Sequence, residues 1–186
     1  MKNNLYGSTT YLVGPIDYAD DDGVGWRQAI TPALKAMDIT VFDPTNKPCE
    51  MGQEIGPEKD RLMTLKAAND WASLREAMKP IVHADLRMVQ KSDFIIACLP
   101  EDTRTCGTIH EIALAIQCKI PVLLLCPDGR ASVPNWLFGV LHYNYMHDSQ
   151  ESLMEHLGNI NSGVATVDKS KWQFFNWDLL EEQETV

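Results

Sequence analysis

The sequence predicts a single doubly wound α/β domain with a central parallel sheet. Strand-length and helix-length patterns alternate along its 186 residues. Two runs, Asp93 to Leu99 and Ile120 to Cys126, are almost wholly apolar, as parallel strands buried on both faces must be. No repeat, linker or low-complexity segment divides the chain, and its length suits one domain with a sizeable core.

Each element has its own reason. Thr9 to Val13 is β-branched and apolar and predicts a first strand, stopped by Gly14-Pro15. Gly25 to Met37 carries Trp26, Ile30, Ala33, Leu34 and Met37 at helical spacing. Ile39 to Phe42 predicts a second strand, ended by Asp43-Pro44, and a loop rich in turn residues runs from Thr45 to Pro57. Glu58 to Met78 predicts a long helix with Leu62, Leu65, Ala68, Ala72 and Leu74 toward one side. Pro80 is expected to break it, with Ile81 to Val89 resuming as a second helical piece. A helix beginning near Thr108 joins the two apolar strands, and Ser149 to Leu157 predicts a last helix. Residues 1–163 thus make the domain. Residues 164–186 make a tail with an aromatic cluster (Trp172, Phe174, Phe175, Trp177) and an acidic end. The tail is either a packing arm or a segment that reaches a neighbouring subunit.

Composition narrows the function. Hydrophobic residues make up 45% of the chain, which fits a soluble globular protein. The opening MKNNLYGS lacks an apolar h-region, and no apolar run is long enough to span a bilayer. A soluble, cytoplasmic protein is expected. A formal charge of −10, with no basic stripe, argues against nucleic-acid polymers. The five cysteines, Cys49, Cys98, Cys106, Cys118 and Cys126, have no framework spacing and suit a reducing compartment. Cys106 stands out because it precedes a helix N-terminus, which lowers a thiol pKa, yet its motif offers no His or Asn partner. The run Asp20-Asp21-Asp22 beside Gly23 and Gly25 reads as a solvated loop ahead of a helix rather than a metal site. The histidines form no H-x-x-x-H pair, so neither a metal nor a cofactor is expected.

In open α/β sheets ligands gather at the carboxyl ends of the strands. Three loops should meet there: Gly14 to Gly25, Asp43 to Pro57 and Pro100 to Gly107. Gly14, Pro15 and Asp17 on the first, Trp26 just beyond it, Asp43 on the second, and Asp102 and Gly107 on the third are candidates to bind substrate. Glu111 belongs to the helix that opens on the same crevice. Thr108-x-x-Glu111 reads as a capping box, but a carboxylate on that first turn is also placed to attack a substrate. The helix before the Asp93 strand brings Asp85 to the same mouth. Paired carboxylates are the usual equipment for breaking a glycosidic bond, and a helix N-terminus favours an ionised nucleophile. A Walker motif and a G-x-G-x-x-G after the first strand are both missing.

The segments TYLVGPID, GWRQAITPAL, VFDP, HADLRMVQKSDFIIACLP and CGTIHEIALAIQCKIPVLLL, in that order, make the sequence resemble the nucleoside 2-deoxyribosyltransferase family over roughly residues 9 to 140. The resemblance implies a flavodoxin- or Rossmann-like sheet and transfer of a 2-deoxyribosyl group between nucleobases. Glu111 would be the nucleophile that forms a covalent glycosyl intermediate. Asp85 would contact the base and take part in proton transfer, and Tyr11 would help hold the nucleophile. Asn135, in PNWLFG, would be lent to a neighbouring subunit's site, so a homo-oligomer with shared active sites is implied. Nucleosides and nucleobases are the implied partners, with nucleotide salvage the implied setting. The family's second sugar-binding aspartate lies six residues before the nucleophile. Thr105 stands there in this chain, with Asp102 nearby. The stretch from Asn46 to Lys79 is also longer than in compact members. Two alternatives stay open: an N-glycoside hydrolase of nucleoside 5′-monophosphates, for which Arg27 is the nearby cation, and a non-catalytic nucleotide-binding module.

Overall fold

The structure is a computed structural model and describes residues 3–47, 54–175 and 177. Cys49 and the acidic end of the tail lie outside the described residues. The order is β1 (Thr9–Val13), α1 (Val24–Ala36), β2 (Thr40–Phe42), α2 (Gly56–Ala67), α3 (Trp71–Lys91) and β3 (Phe94–Cys98), then α4 (Cys106–Gln117), β4 (Val122–Leu125), α5 (Asn135–Phe138), β5 (Met146–His147) and α6 (Gln150–Ser162). The strands form one sheet in the order β2-β1-β3-β4-β5, and every pairing is parallel. Chain order reverses between β1 and β3, which opens a crevice at their carboxyl ends.

Alternation along the strands splits the core into two layers. Leu12, Phe94, Ile96, Leu123 and Leu125 face α1 and α6, meeting Ile30, Leu34, Leu153 and Leu157. Tyr11, Val13, Ile95, Ala97, Val122 and Leu124 face α3 and α4, meeting Val89, Ile112 and Ala115. The aromatic tail closes the first layer from its own chain. Trp172 is fully buried, stacked at 5.7 Å on Phe94 and 5.8 Å on Phe175.

Several sequence expectations need correction. Pro80 does not break a helix; α3 runs through it from Trp71 to Lys91. Pro80 is exposed, so the carbonyl deprived of its donor lies on the solvent side, where the loss is least damaging. The break falls instead at Asn69, which takes a left-handed φ of 57°. Asp70 then caps α3, its side chain accepting from the Ser73 amide at 3.1 Å. Two short elements, α5 and β5, gave no periodic signal. The last helix extends to Ser162, with Ser149 as its cap.

Helix α4 begins at Cys106 with Thr105 in the capping position, and Thr105 makes no side-chain cap bond. The capping box is therefore absent. Thr108 is the third helical residue and Glu111 the sixth, so Glu111 is free of any cap duty.

Candidate active site

The crevice at the β1/β3 switch is a cleft of about 490 Å³, within the range of small-molecule sites. Tyr11, Asp85 and Glu111 all line it, although they come from β1, α3 and α4. Each is more than nine-tenths buried. The Tyr11 hydroxyl donates to Glu111 Oε1 at 2.8 Å. On the other side, Lys47 Nζ donates to Asp85 Oδ1 at 2.7 Å, and the Lys47 side chain is only 2% exposed.

Gly14 and Pro15 turn the chain over the cleft, and Asp17 and Gly107 also line it. Gly14 is needed for close approach as well. A Cβ there would lie 3.0 Å from the Trp26 ring and 3.3 Å from the Arg27 guanidinium. Four other candidates are not brought to the cleft. Trp26 packs against the core under Gly14. Asp43 turns inward, accepting from the Thr45 amide and hydroxyl at 2.8 and 2.7 Å. Asp102 and Asn135 are exposed and lie outside the cleft lining.

Arg27 is fully buried and donates to the carbonyls of Leu12, Gly23 and Gly14. It holds the loop after β1 in shape rather than facing the cleft as a cation for substrate. The acidic run has a local role too. Asp21 accepts from the Gly23 and Gly25 amides at 2.9 and 2.8 Å, and Asp22 pairs with Lys59.

Sequence reasoning missed several residues at the site. Glu54, Tyr18 and Arg104 line the cleft, and the Arg104 guanidinium lies 5.7 Å from the centre of the Tyr18 ring. Met78, Val82 and Leu86, four residues apart on α3, form an apolar wall. Such spacing puts them on one helix face, yet in the sequence it resembles any buried stripe. Glu54 in the cleft lining and Lys47 beside Asp85 carried no local signal, because neither belongs to a periodic strand or helix. Thr105 also lines the cleft, and neither its hydroxyl nor that of Thr108 has a hydrogen-bond partner.

Burial dominates the electrostatics. It pushes the Glu111 carboxyl up to about 8, against the opposing hydrogen bond from Tyr11, while Asp85 adds to the rise. The expectation that the helix N-terminus keeps Glu111 ionised is thus not met. A dipole acts mainly within the first turn, and Glu111 lies beyond it. Burial also raises Asp85, with Lys47 the largest opposing influence. Glu54 is pushed up to about 7 by burial and by Asp17 and Asp85. Burial likewise holds Tyr11 well above the ordinary tyrosine value, aided by Glu111, so its hydroxyl remains a donor. Glu111 and Glu54 can thus hold and release protons near neutral pH, and Asp85 holds its proton more tightly than a free aspartate.

Among the described residues no His, Cys, Asp and Glu cluster is arranged to hold a metal, and no helix is long and apolar enough to cross a membrane.

The family profile described as nucleoside 2-deoxyribosyltransferase matches residues 10–167. No curated protein sequence matches the chain. Similar solved structures include a 2-deoxyribosyltransferase from the psychrotolerant bacterium Bacillus psychrosaccharolyticus, at 16% identity and a TM-score of 0.53, covering 82% of this chain and 91% of that one. A 2-desoxiribosyltransferase from Leishmania mexicana follows at 19% identity and 0.48, covering 81% and 96%. A CMP N-glycosidase from Clostridium botulinum stands at 15% and 0.47, covering 82% and 98%. At these identities the first likeness is one of fold.

Proposed function

The chain belongs to the nucleoside 2-deoxyribosyltransferase family, and from that premise we propose that it moves a 2-deoxyribosyl group between nucleobases by double displacement. The observation that carries this reading is the buried Tyr11–Glu111 hydrogen bond of 2.8 Å facing Asp85 across one cleft. A Glu111 oxygen attacks C1′ of the nucleoside. The C1′–N bond breaks, its electron pair leaves on the base nitrogen, and Asp85, directly or through a water it orients, gives that nitrogen a proton. In the second half Asp85 takes the N–H proton of the incoming base, whose nitrogen attacks C1′ and returns the bonding pair to Glu111. The apolar wall of Met78, Val82 and Leu86 gives the flat base a surface to lie on. Gly14, Pro15, Asp17 and Gly107 border the substrate. Asn135, exposed on α5, completes the site of a neighbouring copy in a homo-oligomer.

Hydrolysis of a nucleoside 5′-monophosphate has one observation in its favour. Arg104, an exposed residue, lines the cleft, where a phosphate would find a charged donor. Incubating the protein with deoxyinosine and free adenine, followed by chromatography, tests the two readings. Deoxyadenosine in the products is the expected result. Free base and sugar alone would mean hydrolysis, and no turnover across nucleosides and monophosphates would leave a binding module.

Tyr11→Phe provides a further test. Loss of the hydroxyl removes the hydrogen bond that opposes the rise of Glu111, so Glu111 will ionise only at higher pH. The nucleophile must be ionised, so kcat/KM in the free enzyme should have a limb that climbs with pH as Glu111 ionises near about 8. Loss of the proton that Asp85 gives bounds that limb at higher pH. The Phe variant should move that limb upward, losing more rate at pH 7 than at pH 9. A limb that stays in place would remove Tyr11 from control of the nucleophile.

A further inference from the structure

We infer that Lys47 is a positioning residue that keeps Asp85 able both to give a proton to the departing base and to take one from the incoming base. The inference rests on the transfer reading above and extends it to a residue outside the cleft lining.

Lys47 follows the short 3-10 turn Pro44–Asn46 that ends the β2 connection. It is itself buried, with Nζ 2.7 Å from Asp85 Oδ1. Burying an ammonium is costly unless an anion meets it, so this contact fixes the carboxylate in place and favours its charged form. Asp85 is faced by charged or titratable groups from every side of the cleft: Tyr11 on β1, Arg27 on α1, Lys47 after β2, Glu54 before α2 and Glu111 on α4. Of the two cations, Arg27 is engaged by three carbonyl oxygens. Lys47 is the one in hydrogen-bond contact with Asp85.

Opposing influences set the proton affinity of Asp85, with Tyr11 and Arg27 on the lowering side as well as Lys47. Burial raises it, and Lys47 is the largest influence that lowers it. Double displacement needs both sides of that balance. The first half-reaction uses Asp85 as an acid, and the second uses it as a base. Without Lys47, burial would be opposed only by the weaker influences of Tyr11 and Arg27, and Asp85 would hold its proton more tightly. It could still release the first base but would accept the second base's proton poorly.

The test compares wild type, Lys47→Met and Lys47→Arg after thermal unfolding has shown each to be folded. If Lys47→Met does not fold, Lys47→Gln replaces it, keeping a donor without the charge. The Asp85 carboxyl is titrated by carbon NMR, and single-turnover release of the first base is timed separately from transfer to the second. In Lys47→Met the midpoint of the Asp85 titration should move up by roughly 1–3 pH units. Transfer at neutral pH should fall in step with the ionised fraction of Asp85 at the assay pH, about tenfold for each unit by which the midpoint comes to lie above it, while first-base release is largely retained. Lys47→Arg should restore both. An unmoved Asp85 titration, or a parallel loss in both half-reactions, overturns the inference. A wild-type chain inert toward every nucleoside would overturn the transfer reading instead, and the Asp85 titration would still decide whether Lys47 governs its proton.

Discussion

Glu111→Gln is expected to lower base exchange by at least ~10³-fold and to leave a folded protein that is more stable than wild type at alkaline pH. The loss of activity follows from removing the oxygen that attacks C1′. The gain in stability follows from burial. Glu111 is 8% exposed, and its folded value of about 8 lies above the ordinary 4.5. A raised carboxyl favours the folded state fully below its unfolded value, and that contribution is lost as pH climbs through the folded one. Wild type should therefore weaken between about pH 4.5 and 8, on the order of a few kcal/mol. The amide keeps the shape, can accept from Tyr11 and escapes the penalty. Thermal unfolding from pH 5 to 9 should show the variant's advantage growing with pH and levelling above 8. A Gln variant that fails to fold would make Glu111 a structural residue.

Trp172→Ala is expected to destabilise the protein by roughly 3–5 kcal/mol, or about 2–4 °C in Tm for each kcal/mol. Trp172 is fully buried and contacts Phe94, Phe174 and Phe175 with ring centroids 5.6–5.8 Å apart. It lies on the α1/α6 layer, whereas Tyr11 belongs to the α3/α4 layer. Base exchange measured well below the midpoint should thus be nearly unchanged. A loss under about 1 kcal/mol would mean that the tail contributes little to its own domain and would favour docking on a neighbour.

Much of the fold was legible because burial on both faces leaves runs such as Phe94–Cys98 with no polar residue. Alternation of strand and helix then placed Glu111 and Asp85 at one end of the sheet. What escaped has identifiable causes. Pro80 drew attention as a breaker, yet its exposed position let α3 continue. The Asn69-Asp70 pair, a left-handed residue followed by a cap, marked the true boundary. Thr108 matched a capping pattern that the chain does not use, since the helix had already begun at Cys106. Asp43 and Trp26 sat at the right strand ends but were consumed by local bonds and packing. Lys47, beside Asp85, and Glu54, in the cleft lining, lie outside the regular strands and helices, where no periodicity marks them. The ionisation of Glu111 was misjudged because the dipole could be read from the sequence while the depth of burial could not.

Double displacement through Glu111 has one direct signature. The protein is mixed with a 2′-deoxynucleoside without an acceptor base, quenched in acid within a single turnover, digested and weighed by mass spectrometry. The peptide containing Glu111 should carry the added mass of one 2-deoxyribosyl group, equal in amount to the base released, and lose it when a second base is supplied before quenching. Base released at the same rate with an unmodified Glu111 peptide, or the sugar found on another residue, would contradict it.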